Sequence, residues 1–170
     1  MNAKWSVGWS AMWMITATSG AWAVDMDDLT KFKSMADKPL LENVNKSLAE
    51  QQVKDGQFEF KSGKAEFAPG NDKRVKGVLK ILTENSKNLT QAFPNLTVVT
   101  EGHTDTEGMP ATNEKLSLDR ASKVCAALKK QGMKMPCKAI GVGSSRPLVS
   151  PEKTPADKQR NRRVLVQVAK

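Results

Sequence analysis

One carboxylate, Asp105, and one guanidinium, Arg120, stand fifteen positions apart in the segment Val98–Ala121, VVTEGHTDTEGMPATNEKLSLDRA. The first follows a run rich in β-branched residues, and the second sits about two turns into a stretch with helical period. A strand end and a helix face would therefore bring them together. A carboxylate pairs with an ammonium, and a guanidinium grips a carboxylate through two parallel hydrogen bonds that a lysine cannot match. Together they suit the zwitterionic end of an amino acid. Spacing alone leaves a second reading open, in which the two side chains pair with each other.

Other chemistries fit these residues poorly. Hydrolysis by paired acids needs two carboxyl groups facing one substrate with their pKa values pushed apart. Strand alternation sends Glu101 and Asp105 to one side but separates them along the chain, and Glu107 reads as a solvated loop acid. His103, the single histidine, shares a face with Asp105, yet no Gly-x-Ser-x-Gly or Cys-His arrangement accompanies it. It reads as a packed or hydrogen-bonded side chain. Two thiols, Cys125 and Cys137, with one histidine make too few ligands for a structural metal. The expectation is a binding protein with no catalytic group, metal or cofactor.

Residues 1–23, MNAKWSVGWSAMWMITATSGAWA, carry one charge (Lys4), an apolar run, and Ala21 and Ala23 around Trp22. That is the pattern of a secretory signal peptide, with cleavage expected after Ala23. All four tryptophans (Trp5, Trp9, Trp13 and Trp22) fall inside it. The rival is an uncleaved anchor, because Trp5–Ala23 approaches the roughly 20 residues a spanning helix needs. Thr16, Thr18, Ser19 and Gly20 weaken its second half. No cysteine lies near the cleavage site, which argues against a lipid anchor. The two cysteines of an exported chain instead suggest a disulfide, the other reading being a pair of small buried thiols.

The chain's formal charge is +9, and loss of Lys4 lowers it by one. Such a balance often marks nucleic-acid binders, but five Phe are the only aromatics outside the leader, too few for the stacking that single-strand binders use. An anionic cell envelope explains the charge without nucleic acid.

Residues 24–56 form an N-terminal helical or linker segment. Pro39 opens an expected helix with Leu41, Val44 and Leu48 on a narrow stripe. That helix packs on its own domain, acts as a tether, or docks a partner. GQFEFKSGKAEFAPG alternates Phe58 and Phe60 with polar residues and reads as a strand ending at Ser62-Gly63. A helix follows through Val75, Val78, Leu79 and Leu82, then a strand in LTVVTEG. Next comes a helix over residues 113–131 with Leu118, Ala121, Val124, Cys125 and Leu128 on one face, stopped by Gly132. CKAIGVG and RVLVQV supply the last two strands. Strands alternating with helices predict an α/β layer, one sheet covered by helices.

EGHTDTEGMPATNEKLSLDRASKV resembles the core motif of the OmpA-like peptidoglycan-binding domains, shared by OmpA C-terminal domains, the lipoprotein Pal and the stator protein MotB. Five blocks stand in the family's order: FEF, GHTD, NEKLSLDRA, GVGSSRP and NRRV. The resemblance spans residues 57–169 and implies a βαβαβ-type sandwich, helices packed on a mixed sheet, in a domain over residues 57–170. It implies the diaminopimelate of uncrosslinked peptide stems as ligand. Asp105 would take its ammonium and Arg120 its carboxylate. Asn113 would shape the loop and helix start, and Arg162 with Asn161 would add a second cation. Where the family carries an Asp after the first strand's Phe, this chain has Lys61, leaving Ser62 and Gly63 to supply backbone contacts.

The resulting expectation is a periplasmic, wall-associated, non-enzymatic protein of a Gram-negative envelope, with the outer membrane as candidate neighbour and peptidoglycan as partner. It has no β-barrel of its own, since residues before Gln57 cannot supply eight strands. Positions 5–23 lack the intramembrane acid of a MotB-like stator. Two rivals remain: a wall-anchoring part of a secretion or surface assembly docked through residues 24–56, and a peptidoglycan hydrolase.

Overall fold

The structure, a computed structural model, describes residues 26–170, with side chains described from Lys38 onward. The expected signal peptide lies outside the described residues. Among those that are described, no helix is long and apolar enough to cross a membrane.

Helices α1 (Met26–Asp55) and α2 (Asn71–Ala92) come first, and strands β1 (Thr97–Gly102), β2 (Cys137–Gly141) and β3 (Val164–Ala169) then alternate with α3 (Pro110–Lys130) and α4 (Pro155–Asn161). The sheet order is β2-β1-β3. β1 runs parallel to β2, with Val98 opposite Cys137 and Gly102 opposite Gly141. It runs antiparallel to β3, with Gly102 opposite Val164. The fold is therefore the expected α/β layer, helices on a mixed sheet.

The period of two in VLVQVA puts Val164, Val166 and Val168 into the core and leaves Leu165 and Gln167 outside. Against those valines pack Val44 and Leu48 of α1, Val75, Val78, Leu82 and Leu89 of α2, and Ala121, Val124 and Leu128 of α3. One core thus spans residues on both sides of the 56/57 division, so the second half of α1 is not a separate linker. α1 also starts earlier than expected and runs through Pro39, losing one internal hydrogen bond there.

The segment expected as a first strand is a tight turn. Phe60 and Phe67 make a lone bridge, and Lys61 N donates to Glu66 O at 2.9 Å. The reason lies at the open edge of β3, where α1 already sits. Asn45 exchanges two hydrogen bonds with Val168, Nδ2 to O at 3.0 Å and N to Oδ1 at 2.8 Å. Gln52 does the same with Val166 at 3.1 and 2.9 Å. Helix side chains thus satisfy edge groups that would otherwise invite another strand.

α3 begins at Pro110, a first-turn proline, rather than at residue 113. Gly132, at φ 107°, ends the α3 region in the left-handed conformation. α3 lies directly on strand backbone, because a Cβ on Gly102 would collide with Ser117 O and one on Gly141 with Glu114 O. Leu118, expected on the inward face, is 42% exposed, although its Cβ lies against Gly141. Cys125 of α3 and Cys137 of β2 are joined by a disulfide, their Cα atoms 6.1 Å apart.

Candidate ligand site

Beyond the C-terminal end of β1 the chain leaves the sheet as His103-Thr104-Asp105, turns at Gly108 and enters α3. At the same end, Arg162 closes α4 and leads into β3. These elements and the turn 61–66 enclose a cleft of about 600 Å³ lined by Phe60, Ser62, Gly63, Asp105, Asn113, Arg120 and Arg162, among others. Six of the seven residues expected at the ligand site are therefore brought together. A smaller groove of about 360 Å³, along Gly141–Ser145 and Glu114, carries no cation.

Asp105 and Arg120 do not pair. Asp105, 7% exposed, accepts from Arg162 Nη1 at 2.6 Å and from Glu107 N at 3.3 Å. Arg162 also donates to Gln159 Oε1 at 2.7 Å. Arg120, 6% exposed, donates from Nε to Lys64 O at 3.1 Å and lies 5.2 Å from the centroid of the Phe60 ring. Among the described residues no carboxylate bridges to it. Burial, then the charge of Arg162, lowers the Arg120 pKa, and Asp105 opposes the shift. Arginine nevertheless remains charged at any physiological pH.

Asn113 holds the loop, its Nδ2 donating to Glu107 O at 2.8 Å and Asp105 O at 3.3 Å. Ser62 and Gly63 sit on the exposed turn at the cleft mouth. Lys61 points into a salt bridge with Glu66 at 2.8 Å.

Asn161 is the exception. It does not line the cleft, because its fully buried amide is consumed by the 148–152 loop. Oδ1 accepts from Leu148 N at 2.7 Å and Val149 N at 2.9 Å, while Nδ2 donates to Val149 O at 2.9 Å and Glu152 Oε1 at 2.5 Å. The sequence reading also missed Phe60 as a stacking partner for Arg120, although an aromatic near a buried arginine is a common pairing.

His103 is a buried, packed side chain. Glu101 Oε1 lies 3.2 Å from its Nε2, but at an angle that makes no hydrogen bond, so both ring nitrogens lack a partner among the described residues. Burial, with the charges of Arg163 and Arg146, lowers its pKa to about 4. The imidazole is neutral at pH 7, and Arg146 is held by Glu101 at 3.0 Å. Among the described residues no three His, Cys, Asp or Glu side chains gather to hold a metal ion.

The site thus sets two guanidinium groups beside Asp105 in a half-enclosed cleft, while the other two lining acids, Glu59 and Glu107, pair with Arg74 and Lys158. Such a set receives an anionic group beside a cationic one.

The model of the OmpA family matches residues 59–162. No curated protein matches the sequence significantly. Solved structures do. A MotB-like protein from Desulfovibrio vulgaris superposes with a TM-score of 0.57 at 19% identity, over 84% of this chain and 99% of that one. The C-terminal domain of Helicobacter pylori MotB gives 0.56 at 18%, over 68% and 84%. The cell wall anchor of the T6SS from Pseudomonas aeruginosa gives 0.54 at 19%, over 74% and 95%. At these identities the likeness is one of fold.

Proposed function

The chain belongs to the OmpA family, and from that premise we propose that it binds peptidoglycan non-covalently through the diaminopimelate of uncrosslinked stems, as a periplasmic wall anchor. The observation that carries this reading is Arg120. A guanidinium this deeply buried is normally paired with an acid, since an unpaired buried charge is costly. Here its partners are one carbonyl and one aromatic face, and the acid within reach is already held by Arg162. A ligand carboxylate entering the cleft would complete it. A ligand ammonium would then share Asp105 with Arg162.

The similarity in fold to a protein described as a T6SS cell wall anchor favours a second, finer reading, in which the chain anchors an assembly. That reading would dock the assembly through residues 24–56, of which the part from Leu40 onward packs on the core and, through Asn45, holds β3.

Calorimetry with a tripeptide ending in meso-diaminopimelate, together with pull-down on intact sacculi, tests the reading. Arg120→Ala should cost on the order of 2–5 kcal/mol of binding, and Arg120→Lys should recover part of it, because the charge returns without the fork. A folded Arg120→Ala protein that binds like wild type would remove the site assignment. Release of soluble wall fragments would favour the hydrolase.

A further inference from the structure

Asp105 sits on a loop whose own backbone has few bonds to the sheet, yet its carboxylate must be held at a fixed place to act with Arg120. Two adjacent residues at the end of α4 reach it by different routes. Arg162 contacts the carboxylate directly. Asn161 cannot, but its Nδ2 donates to Glu152 Oε1 at 2.5 Å. Glu152 Oε2 in turn accepts from Thr106 N at 3.1 Å and Thr106 Oγ1 at 2.8 Å. Thr106 is the residue after Asp105, so the chain of bonds closes around the loop. Lys158 of α4 adds an ion pair to Glu107 one residue further on.

We infer that Glu152, oriented by the buried Asn161, is a positioning residue that pins the Asp105 loop for binding without touching ligand. The inference rests on the proposed diaminopimelate site. Glu152 is suited to the task because an ionised carboxylate only accepts, and all three groups facing it are donors. Its pKa lies below the usual carboxylate value. Burial works against ionisation, and the hydrogen bonds from Asn161 and Thr106, with the charge of Lys158, outweigh it. Asn161 supplies what a charged side chain could not, two acceptor bonds and two donor bonds from one neutral, fully buried amide. The same anchor thus shapes the 148–152 loop and, through Glu152, the ligand loop.

Glu152→Gln in the full chain is the test. It preserves size but turns one acceptor into a donor, so either Thr106 or Asn161 loses its acceptor. Titrated with the diaminopimelate tripeptide, the variant should bind about tenfold more weakly. With the same peptide acetylated on the side-chain amine, the loss should stay under about twofold, because that ligand makes no use of Asp105. A purely structural role would weaken both ligands alike, so equal losses overturn the inference, as does no loss with either. The Thr106 amide, followed by NMR in free Glu152→Ala, which removes both acceptor oxygens, gives a reading independent of ligand: its signal should move and its exchange quicken. An unchanged amide overturns the inference. If wild type and Arg120→Ala bind the tripeptide alike, the ligand assignment fails, and the Thr106 amide alone decides the positioning role.

Discussion

Arg162 Nη1 donates to Asp105 Oδ2 across 2.6 Å, while Arg120 on the facing helix turns its Nε to the Lys64 carbonyl at 3.1 Å. The cleft therefore holds its acid and its deepest cation apart, each engaged elsewhere. On the proposed reading, Arg162 holds the carboxylate that a ligand ammonium would share, and the Lys64 carbonyl takes the Arg120 Nε.

Charge balance predicts the outcome of Asp105→Asn. Removing this carboxylate takes away the acid that engages Arg162, and the remaining lining acids, Glu59 and Glu107, are paired with Arg74 and Lys158. The variant should bind the free tripeptide more weakly, since its ammonium now meets two cations. The amine-acetylated tripeptide, which brings a carboxylate and no ammonium, should bind as tightly as to wild type or tighter. Calorimetry with both ligands measures the reversal, and parallel losses would contradict it.

Protonation of His103 should cost stability in acid. Its pKa falls from an ordinary 6.5 to about 4 on folding, so between those values the unfolded chain binds a proton that the folded one refuses. Stability is then fully present above pH 6.5 and declines as pH falls toward 4. From pH 7 to pH 5 the loss should be about 2 kcal/mol, because burial first, and then the charges of Arg163 and Arg146, disfavour the imidazolium. Urea unfolding at the two pH values, compared with His103→Gln, isolates this contribution. An identical pH dependence in the two proteins would refute it.

The Cys125–Cys137 bridge ties the helix carrying Arg120 to the edge strand β2. Cys125→Ser with Cys137→Ser should lower unfolding free energy by about 2–3 kcal/mol, the usual gain from closing a loop of this size. Tripeptide affinity should hardly change, because Gly102 and Gly141 already seat α3 against the sheet. Denaturant titrations with and without reductant give the first quantity and calorimetry the second.

Asn45→Ala with Gln52→Ala should uncover the β3 edge. Four backbone groups at Val166 and Val168 lose their partners, a cost of about 2–4 kcal/mol if water replaces them incompletely. The opened edge is also a template for a second chain, so sedimentation should show concentration-dependent association that wild type lacks. A monomeric double variant of undiminished stability would mean that the helix amides protect nothing.

Much of this protein is legible from local pattern. The β-branched run at Val98–Thr100 declares a strand buried on both faces, while the period of two through Val164, Val166 and Val168 and the helical spacing of Val75, Val78 and Leu82 each declare an element whose apolar side chains share one dry face. The order of the five family blocks pointed to the cleft, and six of its residues arrived there. Pattern misled where a neighbour far along the chain decided the outcome. Phe58 and Phe60 alternate like a strand, but a strand needs an open edge, and the edge beside them belongs to Asn45 and Gln52, over a hundred residues from their partners.

The site divides in the same way. Sequence alone determined which charged residues the chain owns and, through strand and helix period, that Asp105 and Arg120 would face one end of the sheet. Tertiary structure decided which charge meets which. Arg162 reaches Asp105 because β3 runs antiparallel beside β1 and so returns the end of α4 to the cleft. Asn161, one residue away, points to the opposite side of the backbone and is spent on the 148–152 loop. No spacing rule could separate those two neighbours, since hydrogen-bond partners are chosen by distances of a few ångströms between segments that the sequence sets far apart.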